Sequence, residues 1–219
     1  MKVIAINGSP RAEGNTSLAL REMARELATH GIETEILHIG ARNIRGCQAC
    51  GTCGRNKNGR CIISGDGVNE AIARMREADG IILGSPVHFA GIGGTMKSFC
   101  DRAFYVAGAN GGLFAGKVGA SVVAVRRTGG SAAWQGLNFY ITIANMSLAG
   151  SSYWSIVHGA LPGEAADDAE GLQTVRNAAR NMAWLLHLRK TAEAGAAGAS
   201  EGDVALPEPD RGARTNFIR

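Results

Sequence analysis

The stretch Lys2-Val3-Ile4-Ala5-Ile6-Asn7-Gly8-Ser9-Pro10-Arg11-Ala12-Glu13-Gly14-Asn15-Thr16-Ser17 decides the fold. Its first six residues are a short apolar run with β-branched members, which reads as a buried strand. The next ten are small and mostly polar. Leu18, Met23, Ala24, Leu27 and Ala28 then recur at helical spacing, with Gly31 placed as a C-cap. Between strand and helix the glycines let backbone approach an anion closely. Hydroxyls and an amide supply donors, and a helix start adds unpaired N–H groups and a positive dipole end. Ser9, Arg11, Gly14, Asn15, Thr16 and Ser17 are therefore candidate phosphate ligands. The bland alternative is an ordinary turn capped by Asn15 or Thr16.

Outward from that unit the same alternation continues. Residues 33–39 predict a second strand, and 41–65 form a cysteine-bearing loop. Asp66 is placed to cap a helix running to about 78, with Val68, Ile72, Met75 and Ala78 on one face. Strands are expected at 81–83, 118–125 and 151–157, and helices near 95–106 and at 132–148. Asp167 with Glu170 resembles a capping box opening a last helix to about 190. Five strands alternating with five helices predict an α/β fold: a doubly wound, five-stranded parallel sheet of order 2-1-3-4-5 in three α/β/α layers. Ligands of such sheets sit beyond the carboxyl ends of the strands, where strand order reverses. The domain is expected over 1–190. Residues 191–206, rich in Ala and Gly, predict a flexible arm, and 211–219 carry an apolar pair expected to dock, with a neighbouring subunit as one candidate surface.

Composition narrows the function classes. The 219 residues are 45% hydrophobic and 19% charged, which argues against general disorder. A net charge of +4 is too mild for a nucleic-acid binder without a concentrated patch. Apolar runs are far short of a membrane span and Met1 opens no secretory signal, so a soluble cytoplasmic protein is expected. Glycine is abundant, at 31 residues against 5 prolines, as suits many tight turns.

Rival phosphate motifs are absent. No G-x-G-x-x-G follows the first strand. Gly91-Ile-Gly-Gly-Thr-Met96-Lys97-Ser98 approaches a Walker loop, but Met96 replaces the required glycine. After the third strand, Ser85-Pro86-Val87-His88-Phe89-Ala90-Gly91 offers main-chain polar groups and two flat side chains, suited to a planar heteroaromatic ligand. After the fourth, Thr128-Gly129-Gly130-Ser131 adds N–H donors, which at the edge of a flavin would stabilise the anion formed on reduction. Simple turns are the alternative for both loops.

Cys47, Cys50, Cys53 and Cys61 lie within fifteen residues in a C-x2-C-x2-C-x7-C run, while Cys100 stands alone in an apolar helix and reads as structural. Thiolates select soft metals, and the two-residue gaps are similar to cluster ligation in ferredoxins. Arg45, Arg55, Lys57 and Arg60 surround the run and would favour thiolates and an anionic cluster. A four-iron four-sulfur cluster, a structural zinc and metal-free thiols are the three readings.

Together the Gly8-Ser9-Pro10-Arg11…Gly14-Asn15-Thr16-Ser17 loop, Ser85 to Phe89, and Met96-Lys97 with Asp101-Arg102 resemble the flavodoxin-like NADPH-dependent FMN reductase family over about residues 1–190. Within it the cysteine run is similar to that of iron–sulfur flavoproteins. The resemblance implies FMN, its phosphate held by Ser9, Arg11, Asn15, Thr16 and Ser17. It implies an isoalloxazine bordered by Pro86, Val87, His88, Phe89 and Gly91 and by Thr128, Gly129 and Gly130. Position 88 is His where the family often has Tyr. The expected function is an FMN-dependent oxidoreductase taking a hydride from NADPH or NADH and passing electrons to a small-molecule or protein acceptor. No side-chain acid or base is needed, since the flavin carries the chemistry. With a cluster, the protein becomes an electron carrier. A homodimer or homotetramer is also implied. A different class, a non-enzymatic zinc module engaging an acidic partner, is the competing hypothesis.

Overall fold

The computed structural model describes residues 1–195 and 206. The elements in chain order are β1 (Lys2–Asn7), α1 (Asn15–Thr29), β2 (Glu33–His38), a short α2 (Thr52–Asn56), α3 (Val68–Glu77), β3 (Gly80–His88) and β4 (Gly91–Ile92). There follow α4 (Gly94–Ala109), β5 (Val118–Val125), α5 (Gly130–Ile143), β6 (Ser147–Leu148), β7 (Ile156–His158), a 3-10 turn (Glu164–Asp167) and α6 (Ala169–Gly195).

The sheet runs β2-β1-β3-β5-β6, parallel along this path, with β7 also parallel to β5 and β4 antiparallel to β3. Alternation along each strand divides the core into two. Ile4, Ile6, Ile81 and Leu83 pack with Met75 of α3, Phe99 of α4 and Leu137 of α5. Val3, Ala5, Ile82 and Val122 pack with Leu20 and Met23 of α1 and Met182 of α6. One period-2 pattern thus supplies two apolar faces, and helices cover both. Each fully buried Ile or Leu contributes roughly 1.5–3 kcal/mol. This is the flavodoxin-like doubly wound architecture that the alternation predicts.

The expected edge strand at 151–157 is instead broken in two. β6 pairs with Val118 and Gly119, and β7 with Val123 to Val125. The chain from Ser147 to Ile156 is longer than the run from Val118 to Val123 beside it, so the surplus loops out and carries Tyr153 and Trp154 into solvent, their rings 4.9 Å apart. The helix expected to reach 148 stops at Ile143 because Asn145 turns left-handed, at φ 56°. The N-cap of α3 is Gly67, left-handed at φ 86°, rather than Asp66, which lies one residue earlier and accepts from Val68 N–H at 3.2 Å. At α6 the capping carboxylate is Asp168 rather than Asp167: it accepts from Gly171 N–H at 2.9 Å, while Asp167 closes the 3-10 turn.

Met1–Leu186 forms one compact unit. Residues 191–195, expected in the flexible arm, are helical. The rest of that arm apart from Leu206, including 211–219, lies outside the described residues. No described helix is long and apolar enough to cross a membrane.

Candidate functional site

The loop joining β1 to α1 is shaped by its own polar groups. Asn7 Oδ1 accepts from Ser9 N–H at 3.0 Å, and Ser9 Oγ accepts from Arg11 N–H at 3.2 Å. His38, ending β2, places Nε2 2.7 Å from the Ser9 carbonyl. That oxygen can only accept, so Nε2 carries the proton. Helix α1 begins with Gly14 at the N-cap, and no side chain caps it. Its first-turn N–H groups, with the buried hydroxyls of Ser9, Thr16 and Ser17, form a donor set suited to a phosphate, and Arg11 stands exposed nearby. Asn15 is engaged elsewhere. Its amide donates to the Leu161 carbonyl at 2.9 Å and accepts from Gly163 and Ala165 N–H, tying the segment after β7 onto this loop.

β3 turns back into β4 through Phe89 and Ala90, both left-handed at φ 49° and 59°. A two-residue turn of this hand needs positive φ at both positions, which costs ordinary L-residues about 1–2 kcal/mol each. Strain of this kind clusters at ligand sites. Phe89 and His88 are exposed, while Pro86 and Val87 are half-buried. Ser85 Oγ accepts from Gly93 N–H at 2.9 Å and so pins the hairpin's exit to its entry. Gly129, at φ 86°, lies so close that a Cβ there would be 2.7 Å from Ala90 Cα. Thr128, Gly129 and Gly130 therefore abut the hairpin, and Gly8 N–H donates to Gly84 O at 2.8 Å. The three stretches singled out by sequence meet at one end of the sheet, although Ser85 to His88, expected as a loop, prolong β3 through pairing with β5 and β4. Beside them Gly91, Ile92, Lys97, Ala133, Phe139 and Tyr140 help line a cavity of about 420 Å³, within the usual range for small ligands. Lys97 Nζ and Tyr140 Oη each lie 2.6 Å from Asp101, and burial together with Asp101 pushes the Tyr140 phenol up.

The four clustered cysteines line a single pocket with Arg102, Tyr105 and Val106 of α4. Cys47 and Cys50 are exposed, Cys61 is half-buried and Cys53, on α2, is buried; none is in a disulfide. Hydrogen bonding with Thr52 holds the Cys50 thiol below its ordinary range, whereas burial pushes Cys53 up. Burial also raises Cys100, consistent with an inert thiol. The loop is held from outside. Asn69 of α3 accepts from Cys61 N–H at 2.7 Å and donates to Cys61 O at 3.0 Å. Asn110, just beyond α4, accepts from Gly59 N–H at 2.8 Å and donates to Cys53 O at 3.3 Å. Among the described residues no three His, Cys, Asp or Glu side chains converge as a single-ion site. Four thiols lining one pocket with a buried guanidinium in its wall are a donor set suited to an anionic iron–sulfur group.

Sequence reading missed Asn69, and also His38, Asn110 and the Asp66–Arg102 pair, whose partners are distant in the chain. A signal existed at two of them. Asn69 and Arg102 are polar residues on helix faces that otherwise read as core, flanked by Val68 and Ile72 and by Phe99 and Val106.

The profile of the NADPH-dependent FMN reductase family matches residues 1–160. An iron-sulfur flavoprotein of Methanocaldococcus jannaschii is 37% identical over 201 residues, covering 87% of this chain and all of that one. An iron-sulfur flavoprotein of Methanosarcina thermophila is 30% identical, covering 86% and 96%. Among solved structures, an NAD(P)H:quinone oxidoreductase from Methanothermobacter marburgensis superposes with a TM-score of 0.61 at 16% identity, covering 83% of this chain and 96% of that one. A flavodoxin from the domain Archaea gives 0.56 at 14%, covering 85% and 99%. At such identities the structural likeness speaks for the fold alone.

Proposed function

The chain belongs to the NADPH-dependent FMN reductase family, in its iron-sulfur flavoprotein branch, and on that premise we propose that this FMN-dependent oxidoreductase also holds a four-iron four-sulfur cluster on Cys47, Cys50, Cys53 and Cys61. It delivers electrons to a small-molecule or protein acceptor, with NADH or NADPH as hydride donor. The observation that carries the reading is the set of four thiols lining one pocket beside a buried guanidinium.

When bound, FMN supplies hydride chemistry and its conversion to one-electron steps, and the cluster supplies one-electron carriage. The chain's own groups do the positioning. Ser9, Thr16, Ser17 and the first-turn N–H groups of α1 bind the phosphate, with Arg11 adding charge. Asn15 acts indirectly, holding the 161–165 segment against that loop. Pro86 to Phe89, Gly91 and Thr128 to Gly130 border the ring, the hairpin being locked by Ser85. Asn69 and Asn110 fix the backbone on which Cys61 and Cys53 sit. Assembly as a homodimer or homotetramer in the cytoplasm belongs to the same proposal.

Anaerobic purification with flavin, iron and sulfide quantification tests it. The expected result is FMN with about four iron and four sulfide per chain, and flavin bleaching by NADH or NADPH. A colourless protein with stoichiometric zinc would instead make it an interaction module; FMN without iron or zinc would leave a plain flavin reductase.

A further inference from the structure

Arg102 sits on α4 with its side chain wholly buried. Its Nη1 donates to the Arg45 carbonyl at 3.2 Å and to Asp66, and its Nη2 donates to the Ile63 carbonyl at 2.9 Å. Arg45 lies two residues before Cys47, and Ile63 two after Cys61, so the guanidinium clamps both ends of the cysteine loop. Its remaining donor, Nε–H, is buried without any hydrogen-bond partner. Buried guanidinium donors are seldom left unsatisfied. This one belongs to a residue in the wall of the thiol pocket.

Resting on the cluster reading above, we infer that Arg102 is the internal counter-charge of that pocket, its Nε–H reserved for a sulfur of the bound cluster, and that it raises the cluster's reduction potential. Reduction adds one electron and so one negative charge. A fixed cation and an N–H donor in a water-poor wall stabilise the more negative state selectively. The group is suited to this because a guanidinium stays charged in proteins. Asp66 pairs with the guanidinium at its far fork, on the side away from Nε, and leaves Nε free to face the pocket. Arg102 is thus a positioning and tuning residue.

The test is an EPR-monitored redox titration of anaerobically purified protein, with iron, sulfide and FMN quantified in each sample. Arg102→Lys keeps a charge but loses the planar fork. Arg102→Met with Asp66→Leu removes the ion pair together, so no carboxylate is left buried alone. In variants that retain FMN and iron, the cluster's reduction equilibrium is expected to fall at least tenfold, about 59 mV for one electron, in the double variant and less in Arg102→Lys. Asp66→Asn, which keeps Nε, is expected to hold the wild-type potential or exceed it. Cluster-loaded variants with wild-type potentials would overturn the role of Arg102 and leave the cluster reading standing. Wild-type protein rich in FMN but devoid of iron and sulfide would overturn both.

Discussion

His38 Nε2 lies 2.7 Å from the Ser9 carbonyl oxygen, so the end of β2 steadies the loop that follows β1. Two residues on, Gly40 approaches even more closely: a Cβ there would stand 2.0 Å from the same oxygen. The obstacle is backbone and cannot swing aside. Gly40→Ala is expected to destabilise the fold by about 1–3 kcal/mol and to weaken FMN retention, although residue 40 is not itself a ligand. Urea unfolding with a flavin fluorescence titration checks both; wild-type affinity with reduced stability would disconnect Gly40 from the site.

Arg11 is exposed at the mouth of the phosphate loop, so water screens part of its charge. Arg11→Ala should weaken FMN about tenfold, at the low end for a charge-assisted hydrogen bond. Riboflavin, which lacks the phosphate, should bind both forms equally. An equal loss for the two ligands would move Arg11 from the phosphate to the ring or to the fold.

The left-handed pair Phe89 and Ala90 invites a gain of stability. Ala90→Gly relieves backbone strain at φ 59°, against a loss of unfolded-state restriction. A net rise of up to about 1 kcal/mol in unfolding free energy is expected. Softening of the hairpin should appear as faster FMN dissociation in stopped-flow measurements. A fall in stability would show that Ala90's contact with Gly129 outweighs its strain.

Asp168 caps α6 and receives the His158 N–H at 2.7 Å. Burial opposes its charge, but the Gly171 and His158 N–H groups overcome that and hold the carboxyl below its ordinary range. A carboxyl lowered by folding stabilises the native state above its unfolded pKa, and that contribution is lost as pH falls through the folded value. Asp168→Ala should therefore cost about 0.5–2 kcal/mol at neutral pH. The gap to wild type should close below the usual aspartate range. Thermal melts across pH 2–7 read the difference; a gap independent of pH would sink the assignment.

Much of the fold was legible because strand and helix periods are local. The runs at 2–7 and 118–125 became β1 and β5 within a residue. The edge strand was misjudged because its break depends on register against β5, which no local pattern encodes. The convergence of the three candidate loops was legible for a topological reason: doubly wound sheets bring them to one end. Asn15 shows the limit. Its residue type suits a phosphate, yet its partners at 161–165 are far away in sequence. Asn110 was invisible as a support for the same reason, its partners Gly59 and Cys53 lying more than fifty residues back.

One helix serves both candidate centres. Met96, near the start of α4, fills the space beside Gly8, and Arg102, six residues on, stands in the thiol wall. Six helical residues advance about 9 Å along the axis. The chain has thus built a rigid spacer rather than a hinge between the β1–α1 loop and the thiol pocket. A single inserted residue between Met96 and Arg102 would lengthen that rod and swing its far end by about 100°, carrying Arg102, Tyr105 and Val106 out of register with the thiol pocket they line.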